Sequence, residues 1–306
     1  QENFQIMSSI NGISQHFFCF GLGYTGEALA RVLLARGWRV SGTCRDPVRA
    51  DRLKGLGINV HLFDGKMPLH NATKTLAEVD YLLSSVPPDK LGEAVLDHHS
   101  SDIAAMSERL AWIGYLSTTG VYGNRNGEWV DENSSLLPSS DRSQRRVEAE
   151  ERWLSLGRGS SVPTHIFRLA GIYGPGRSML DRIRLGRAQL IHRPGQVFSR
   201  IHVSDIITVL QASFANRPAG GIYNVCDDEP AAPADVAMFA CNLLATTPPP
   251  LVDYSKAELS DMAKTFWADN KRVRNGKIKQ KLGVKLQFPN YRAGLLDIHE
   301  SEIKVN

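Results

Sequence analysis

Apolar and polar positions follow two alternating patterns through the first half of the chain. Short apolar runs bounded by glycine, proline and polar residues predict buried strands, and stretches with apolar residues at helical spacing separate them. The predicted strands are His16-Phe20, Arg39-Cys44, Asn59-Phe63, Tyr81-Val86, Ile113-Ser117 and His165-Leu169. Because strands alternate with helices, the pattern predicts an α/β fold with a doubly wound parallel sheet between two layers of helices.

A glycine turn joins the first predicted strand to the helix that follows it. The apolar run Phe17-Phe18-Cys19-Phe20 leads into Gly21-Leu22-Gly23-Tyr24-Thr25-Gly26. Within a βαβ unit of about 30 residues this spacing is typical of a dinucleotide site, where the glycines permit the turn, admit the pyrophosphate and let the helix pack on the strand. The sequence therefore predicts a Rossmann-type sheet that binds a dinucleotide through residues 21–26. A purely structural turn is the alternative.

The residues after the second strand bear on the choice of dinucleotide. An acidic residue there binds the ribose hydroxyls of NAD, whereas this chain has Thr43-Cys44-Arg45. A guanidinium group beside a hydroxyl suits the 2′-phosphate of NADP. We therefore predict that the cofactor is NADP. NAD is the alternative, because the acidic residue Asp46 follows Arg45 directly. In a competing interpretation, Arg45 is a solvated charge on a loop. Asp64 follows the third strand and is expected to border the adenine, and Ser84-Ser85-Val86 end the fourth and are expected to border the ribose. Ordinary strand ends are the alternative for both.

Composition narrows the class of protein. The chain has 306 residues, of which 42% are hydrophobic and 22% charged, and these values are ordinary for a globular protein rather than a disordered one. The four cysteines are widely spaced, so neither a disulfide framework nor a metal site is predicted. No apolar run could cross a bilayer, and residues 1–16 lack the pattern of a signal peptide. We expect a cytoplasmic protein without membrane contact.

The regular alternation of predicted strands and helices ends after Gly171, where prolines separate shorter elements. This change predicts a Rossmann domain over residues 16–177, to which residues 201–230 return. Residues 178–200 and 231–306 are predicted to form a smaller C-terminal substrate lobe.

Five motifs in order resemble the extended short-chain dehydrogenase/reductase family, which includes NAD-dependent nucleotide-sugar epimerases and dehydratases. Besides the glycine turn they are Ser117-Thr118-Thr119-Gly120-Val121-Tyr122-Gly123, Phe167-Arg168-Leu169-Ala170-Gly171-Ile172-Tyr173-Gly174-Pro175-Gly176-Arg177, Arg200-Ile201-His202-Val203-Ser204-Asp205 and Gly221-Ile222-Tyr223-Asn224-Val225-Cys226-Asp227-Asp228-Glu229-Pro230. The resemblance covers residues 16 to 300 and implies that Ser117, Ala170, Gly171 and Ile172 border the cofactor.

The catalytic residues of that family are only partly present. There a serine or threonine polarises the substrate oxygen, a tyrosine passes the proton, and a lysine four residues later lowers the pKa of the tyrosine and binds ribose. Thr118 matches the hydroxyl, but residues 140–151 contain neither tyrosine nor lysine. Asp141 or Arg142 falls at the tyrosine place, and Arg145 or Arg146 at the lysine place. The chain thus resembles atypical members that keep the cofactor fold and lose the catalytic pair.

Arginine can anchor ribose or phosphate, which implies that Arg145 contacts the cofactor, but it stays charged and cannot donate the proton. Tyr122 and Tyr173 are candidate substitute acids, and aromatic packing is the alternative for each. His202 is predicted to be a satisfied buried histidine rather than a base. We expect Asp205 to cap the next helix, and His98 and His99 to lie on the solvated surface.

Charged side chains suggest the kind of ligand. Arginines crowd the segments expected near the substrate, and Arg142, Arg177 and Arg200 are the predicted contacts to a small anionic substrate. A solvated charged face is the alternative. The basic run 270–281 lacks interleaved aromatic residues, so a nucleic-acid partner is not predicted.

The predicted protein is an NAD(P)-dependent oxidoreductase of the epimerase/dehydratase type acting on a small anionic or sugar-like carbonyl compound. The alternative is a non-catalytic NADP-binding redox sensor or scaffold. The resemblance implies a homodimer that pairs through helices near residues 93–111 and 141–156.

Overall fold

A computed structural model describes residues 14–216 and 219–305. The expectation that residues 1–16 hold no signal peptide falls almost entirely outside the described residues. Residues 217 and 218, and the last residue of the predicted lobe, 306, also lie outside them.

The strands confirm the predicted α/β architecture. In chain order they are β1 (His16–Phe20), β2 (Arg39–Cys44), β3 (Asn59–Leu62), β4 (Tyr81–Ser84), β5 (Trp112–Thr118), β6 (Trp129–Val130), β7 (Thr164–Leu169), β8 (Gly171–Tyr173), β9 (Leu190–His192), β10 (Arg200–His202), β11 (Gly221–Val225), β12 (Leu251–Asp253) and β13 (Arg272–Val273). Seven of them form one sheet in the order β11-β7-β5-β4-β1-β2-β3, and β1 to β5 pair in parallel. The strand order reverses at β1 and β4, and parallel sheets bind ligands outside the carboxyl ends of strands at such a point.

Helices alternate with these strands along the chain. They are α1 (Tyr24–Ala35), α2 (Pro47–Lys54), α3 (Ala72–Leu76), α4 (Ala94–Ala105), α5 (Asp141–Ser160), α6 (Met179–Arg184), α7 (Val203–Asn216), α8 (Pro233–Leu243), α9 (Asp261–Ala268), α10 (Gly276–Leu282) and α11 (Tyr291–Val305). Short 3-10 helices occupy Thr119–Tyr122 and Tyr254–Lys256.

Grouping the chain by backbone proximity gives two compact units, each about half of the chain. The first comprises residues 14–117, 145–167 and 210–222, apart from 217 and 218. The second comprises residues 118–144, 168–209 and 223–305. This division differs from the predicted lobes, because residues 118–144, 168–177, 201–209 and 223–230 group with the second unit.

The core of the first unit explains why its strands are so apolar. All five residues of β1 are buried, as expected for a central parallel strand covered on both faces. Phe18 and Phe20 pack edge-to-face, with ring centroids 4.9 Å apart, in a cluster that includes Ile113 of β5 and Trp153 of α5.

The second unit has its own apolar core and three short parallel strand pairs. Its core includes Tyr173, Leu180, Val236, Tyr291 and Leu295. The pairs are β8 with β10, β9 with β12 and β6 with β13.

The part of the chain that the structure describes has three further features. The four cysteines are free thiols, and all of them are buried. No described helix is both long and apolar enough to span a lipid bilayer. Within the same residues, no three His, Cys, Asp or Glu side chains form a group that could hold a metal ion.

Candidate active site

The turn between β1 and α1 has the geometry of a phosphate cradle. Gly21 has a φ of +85°, which a residue with a side chain adopts only with strain. A methyl group at Gly26 would lie 2.8 Å from the carbonyl oxygen of Gly21, so only glycine lets α1 pack this closely. At Gly23 a methyl group would meet only that same oxygen, at 4.0 Å. Gly21 therefore permits the turn, Gly26 allows α1 to pack closely, and Gly23 leaves open space beside the turn.

The N-terminus of α1 has no side-chain cap. Gly23 is its N-cap residue and offers no side chain to the first backbone N–H groups of this 12-residue helix. The aligned peptide dipoles place partial positive charge at the same end. Backbone donors and a helix dipole beside an open turn fit the pyrophosphate of a dinucleotide.

The end of β2 supports the turn and presents one exposed arginine. Gly21 N donates to the Thr43 hydroxyl at 2.9 Å, and Thr43 is buried, so this hydroxyl holds the turn instead of facing a ligand. Arg45 is exposed directly after β2. The Asp46 carboxylate accepts from Val48 N at 2.9 Å and so caps α2. Asp46 is thus engaged, and Arg45 faces solvent.

Three arginines surround Glu27 beside the turn, an arrangement that sequence reasoning missed. The Glu27 carboxylate accepts from Arg31 at 2.9 Å, from Arg49 at 2.8 Å and from Arg52 at 2.6 Å. Arg49 Nε also donates to the carbonyl oxygen of Leu22, at 3.1 Å. The hydrogen bond from Arg52, followed by that from Arg31, lowers the pKa of Glu27 to about 2 against the opposing effect of burial. The i, i+4 spacing of Glu27 and Arg31 was the only local signal of this cluster.

The ends of β3 and β4 also carry predicted cofactor residues. A methyl group at Gly21 would lie 3.2 Å from Val86 Cγ2 and 3.3 Å from the carbonyl carbon of Ser85, so both residues lie against the glycine turn. Ser84 is fully buried, and its hydroxyl has no hydrogen-bond partner among the described residues. Asp64 is exposed after β3.

Side chains of β5 and α5 form a polar network in the first unit. Ser117 Oγ donates to Glu150 at 2.5 Å, so this hydroxyl is engaged within the fold. Arg146 donates to the Tyr115 hydroxyl at 3.0 Å. Arg145 is half-buried, and its buried Nε has no partner within the described ranges. Of the two arginines at the predicted lysine place, Arg145 is therefore the one with a buried N–H group that has no partner among the described residues.

The second unit contains a cavity of about 130 Å³. It is lined by Thr118, Thr119, Gly120, Leu169, Ala170, Gly171, Val197, Phe198, Ser199, Phe266, Asp269, Lys271 and Val273. The rings of Phe198 and Phe266 have centroids 4.3 Å apart. Ala170 and Gly171, both predicted to border the cofactor, are among the lining residues, and Ile172 is half-buried in β8. The lining combines aromatic surface with hydroxyl groups and one ion pair.

Thr118 ends β5 at the edge of this cavity. Its Oγ1 accepts from Gly120 N at 3.1 Å and caps the 3-10 helix that follows. A methyl group at Gly120 would lie 3.4 Å from Ser143 Oγ. Ser143 is buried, whereas Asp141 and Arg142 are exposed. The structure thus places Ser143 beside the Thr118 turn, whereas the resemblance put Asp141 or Arg142 at the tyrosine place.

Lys271 was not among the predicted site residues, although it lines the cavity. It is 9% exposed, and its Nζ donates to the Gly123 carbonyl oxygen and to Asp269 Oδ2, each at 2.9 Å. Burial lowers the pKa of the Lys271 ammonium group, although Asp269 opposes this shift. The sequence offered no signal beyond a basic run, because the partner Gly123 is 148 residues away.

Both candidate tyrosines are engaged within the second unit. Tyr122 is fully buried, and its hydroxyl donates to Asn224 at 2.7 Å and accepts from Arg168 at 2.9 Å. Burial raises the pKa of Tyr122 to about 12. Tyr173 is 7% exposed and donates to the Asn290 carbonyl oxygen at 3.4 Å, and burial raises its pKa as well. Both tyrosines are therefore packed aromatic residues whose hydroxyl groups are held by other residues of the second unit.

The predicted substrate arginines lie outside the cavity lining. Arg200 donates to the Phe198 carbonyl oxygen at 2.8 Å, so the backbone holds its guanidinium group. Arg142 and Arg177 are exposed. Among the described residues that line the cavity, Lys271 is the one cation, and it is paired with Asp269.

The expectation that His98 and His99 lie on the solvated surface is wrong. His99 is fully buried and accepts from Leu69 N at 3.1 Å, while its Nδ1 lies 3.0 Å from Asp102. His98 is half-buried against the Gly65 carbonyl oxygen. Ring stacking of His99 on Phe20 explains its burial.

Asp205 does not cap a helix as expected, because it lies inside the first turn of α7. Its fully buried carboxylate accepts from Gln287 N at 2.7 Å and from Phe288 N at 3.0 Å, and so fixes the segment before α11. His202 is buried as predicted, and burial lowers its pKa to about 4. It is only partly satisfied, because its Nδ1 accepts from Ser204 N at 3.2 Å while its buried Nε2 has no partner among the described residues.

The basic run 270–281 contributes contacts within the second unit. Arg274 lies over the Trp129 ring, 4.9 Å from its centroid, and Lys279 pairs with Asp228. The side chains of Arg274 and Lys279 therefore contact other residues of the second unit.

Comparison with known proteins gives relatives along most of the chain. It is 30% identical to the protein YeeZ of Escherichia coli over 285 residues, which cover 88% of this chain and 95% of YeeZ. A conserved protein of unknown function from Silicibacter pomeroyi is 45% identical, with a TM-score of 0.86 over 94% of this chain and 99% of that one. No protein-family model matches.

A more distant solved structure identifies the fold. The dTDP-glucose 4,6-dehydratase of Bacillus anthracis, solved in complex with NAD, is 15% identical, with a TM-score of 0.73 over 95% of this chain and 97% of that one. The predicted fold of the epimerase/dehydratase type is therefore confirmed.

Proposed function

Because this chain belongs to the family of Escherichia coli YeeZ and has the fold of a dTDP-glucose 4,6-dehydratase, we propose that it is an NADP-dependent oxidoreductase acting on a small, sugar-like carbonyl compound. The observation that carries the proposal is the glycine turn. Gly23 leaves open space at the N-terminus of a helix that no side chain caps, and that arrangement suits a pyrophosphate.

The residues around the turn suit NADP better than NAD. Arg45 is exposed after β2, while the carboxylate of its acidic neighbour, Asp46, caps α2. A guanidinium group binds phosphate through charge-assisted hydrogen bonds. Glu27 is the acidic residue nearest the turn in sequence, and its carboxylate forms ion pairs with three arginines.

The cofactor would be held by residues of the first unit. Residues 21–26 would bind the pyrophosphate, Arg45 the 2′-phosphate, and Ser85 and Val86 would border the ribose. Arg145, whose buried Nε has no partner within the described ranges, is the proposed second anchor. A bound nicotinamide would supply or accept a hydride.

The cavity of the second unit is the proposed substrate site. Its volume suits a compound with roughly six to ten non-hydrogen atoms. Aromatic rings such as Phe198 offer an apolar surface to a sugar ring, and Thr118 would donate to its carbonyl oxygen. The cavity carries a balanced ion pair instead of clustered arginines, so we favour an uncharged substrate over an anionic one.

A binding protein without catalysis is the second candidate. Helix α5 contains neither tyrosine nor lysine, which favours a sensor or scaffold that keeps only the cofactor site. Pairing of two copies through α4 and α5 stays part of the proposal, and light scattering coupled to gel filtration would test it.

Fluorescence titration with NADPH and NADH, followed by turnover assays, tests the proposal. For Arg45→Ala we expect at least about a tenfold higher Kd for NADPH and little change for NADH, because one phosphate contact is lost. The matched control is Arg36→Ala, which removes an exposed arginine after the other end of α1. The turnover panel contains dihydroxyacetone and, as the anionic comparison, its phosphate. NADPH binding without turnover would favour the sensor, and equal loss in both variants would refute the role of Arg45.

A further inference from the structure

The structure lacks an obvious proton donor at the proposed substrate site. Reduction of a carbonyl group adds a hydride to carbon and a proton to oxygen, so a group that can release a proton must reach the oxygen. Thr118 can polarise that oxygen, but its hydroxyl is a poor acid. Tyr122 and Tyr173 are buried, with hydroxyl groups engaged by other residues.

Lys271 is the cationic side chain among the described residues that line the cavity. It lines the same cavity as Thr118 and directly precedes β13, far along the chain from the helix that carries the catalytic pair in the resembled family. An ammonium group has three N–H donors. Within the described residues, the Gly123 carbonyl oxygen and the Asp269 carboxylate accept two hydrogen bonds from Nζ, so a third N–H is available in number for the proposal below.

The neighbours of Lys271 hold it in one position. Asp269 Oδ2 accepts from Lys271, and Asp269 Oδ1 accepts from Ser139 Oγ at 2.6 Å. Asn270 donates from its side chain to the Gly195 carbonyl oxygen at 3.0 Å. A side chain locked by such partners needs little reorganisation to act on a bound substrate.

We propose that Lys271 is the catalytic proton donor of this protein, replacing the absent tyrosine and delivering its proton to the carbonyl oxygen of a substrate held in the cavity against Thr118. The proposal rests on the proposed function. A reduced nicotinamide, when bound, would supply the hydride of the new C–H bond, and Lys271 Nζ would supply the proton of the new O–H bond. Lys271 is left as a neutral amine and regains a proton from water, so atoms and charge balance.

Burial supports this role, because it lowers the pKa of Lys271 and makes the proton easier to release. The acidic group that faces Lys271 is Asp269, and the charge of Arg125 acts in the same direction as burial.

Three variants and two readouts test the proposal. Lys271→Met removes the proton, Lys271→Arg keeps a cation that does not release one, and Lys285→Met removes an exposed lysine of the same unit. For Lys271→Met and Lys271→Arg we expect kcat with dihydroxyacetone to fall at least about a hundredfold, while the Kd for NADPH stays the same. Methylamine should restore part of the rate in the Lys271→Met variant. Lys285→Met should match the wild type.

The second readout does not depend on turnover. Acetylation of each lysine by acetic anhydride, followed against pH by mass spectrometry, should give Lys271 a lower pKa than Lys285. Full activity of Lys271→Arg would overturn proton transfer while leaving the proposed function intact. Absence of NADPH oxidation by the wild type with every panel compound would overturn both. Circular dichroism and NADPH binding establish that each variant is folded.

Discussion

Two substitutions in the glycine turn should separate packing from ligand binding. Gly26→Ala and Gly23→Ala each add one methyl group, three residues apart. The methyl group at Gly26 would lie 2.8 Å from the Gly21 carbonyl oxygen and 2.9 Å from Cys19 Sγ, and an ordinary contact begins near 3.4 Å. The shortfall of 0.6 Å to the oxygen is the difference between 3.4 Å and 2.8 Å.

Two buried groups must therefore move to accommodate alanine at position 26. Overpacking of this kind costs about 1–3 kcal/mol of unfolding free energy. For a chain of this size we expect Tm to fall by about 2–6 °C. Displacement of the turn should also weaken NADPH binding.

Gly23→Ala should behave in the opposite way. Its methyl group would meet one atom at 4.0 Å, and Gly23 has a φ of −80°, which alanine adopts without strain. We expect the stability to change by less than about 0.5 kcal/mol. The methyl group fills the space left for phosphate, so the Kd for NADPH should rise by at least about tenfold.

Differential scanning fluorimetry without ligand, and NADPH titration at a temperature where both variants are folded, give the two quantities. A Gly23→Ala variant that binds NADPH as tightly as the wild type would refute the reasoning. So would a Gly26→Ala variant with an unchanged Tm.

Two further substitutions test contacts that the sequence did not reveal. Glu27→Gln should lower the unfolding free energy by about 1–2 kcal/mol at pH 7, since its arginine partners are partly exposed and screened. Because the pKa of Glu27 is lowered from 4.5 to about 2, this stability is present above pH 4.5 and lost as the pH falls towards 2. Urea titrations at several pH values should show the difference shrinking in that interval, and a constant difference would contradict the ion-pair explanation. Asp205→Ala should cost about 2–5 kcal/mol, because the backbone N–H groups of Gln287 and Phe288 lose a buried charged acceptor. It should speed proteolysis near residues 283–290, and unchanged cleavage there would count against this anchoring role.

The sequence predicted the sheet well because local patterns suffice for buried parallel strands. Every residue of β1 is buried, and a continuous apolar run next to a glycine turn has few other interpretations. The predicted bounds of β1 and β2 agree with the structure. The fourth strand ends at Ser84 instead of Val86, because Ser85 and Val86 turn against Gly21.

The remaining site residues depend on contacts between distant segments. Asp205 obeys the local rule for a helix start, but its hydrogen-bond partners are 82 and 83 residues away. Lys271 stands in a run of basic residues that resembles a solvated surface, and only the folded chain brings it to Gly123 and the cavity. Periodicity carries no information about such pairs, so the sequence pointed to Thr118, Ala170 and Gly171 of the cavity lining but not to Lys271 and Asp269.

The most direct test of a nucleotide-binding oxidoreductase is a crystal structure of the protein grown with NADPH. The account predicts the pyrophosphate at residues 21–26, on the N-terminal end of α1, and the 2′-phosphate within hydrogen-bond distance of Arg45. Crystals grown at saturating NADPH that show no dinucleotide at this turn, or show it bound elsewhere, would contradict the account.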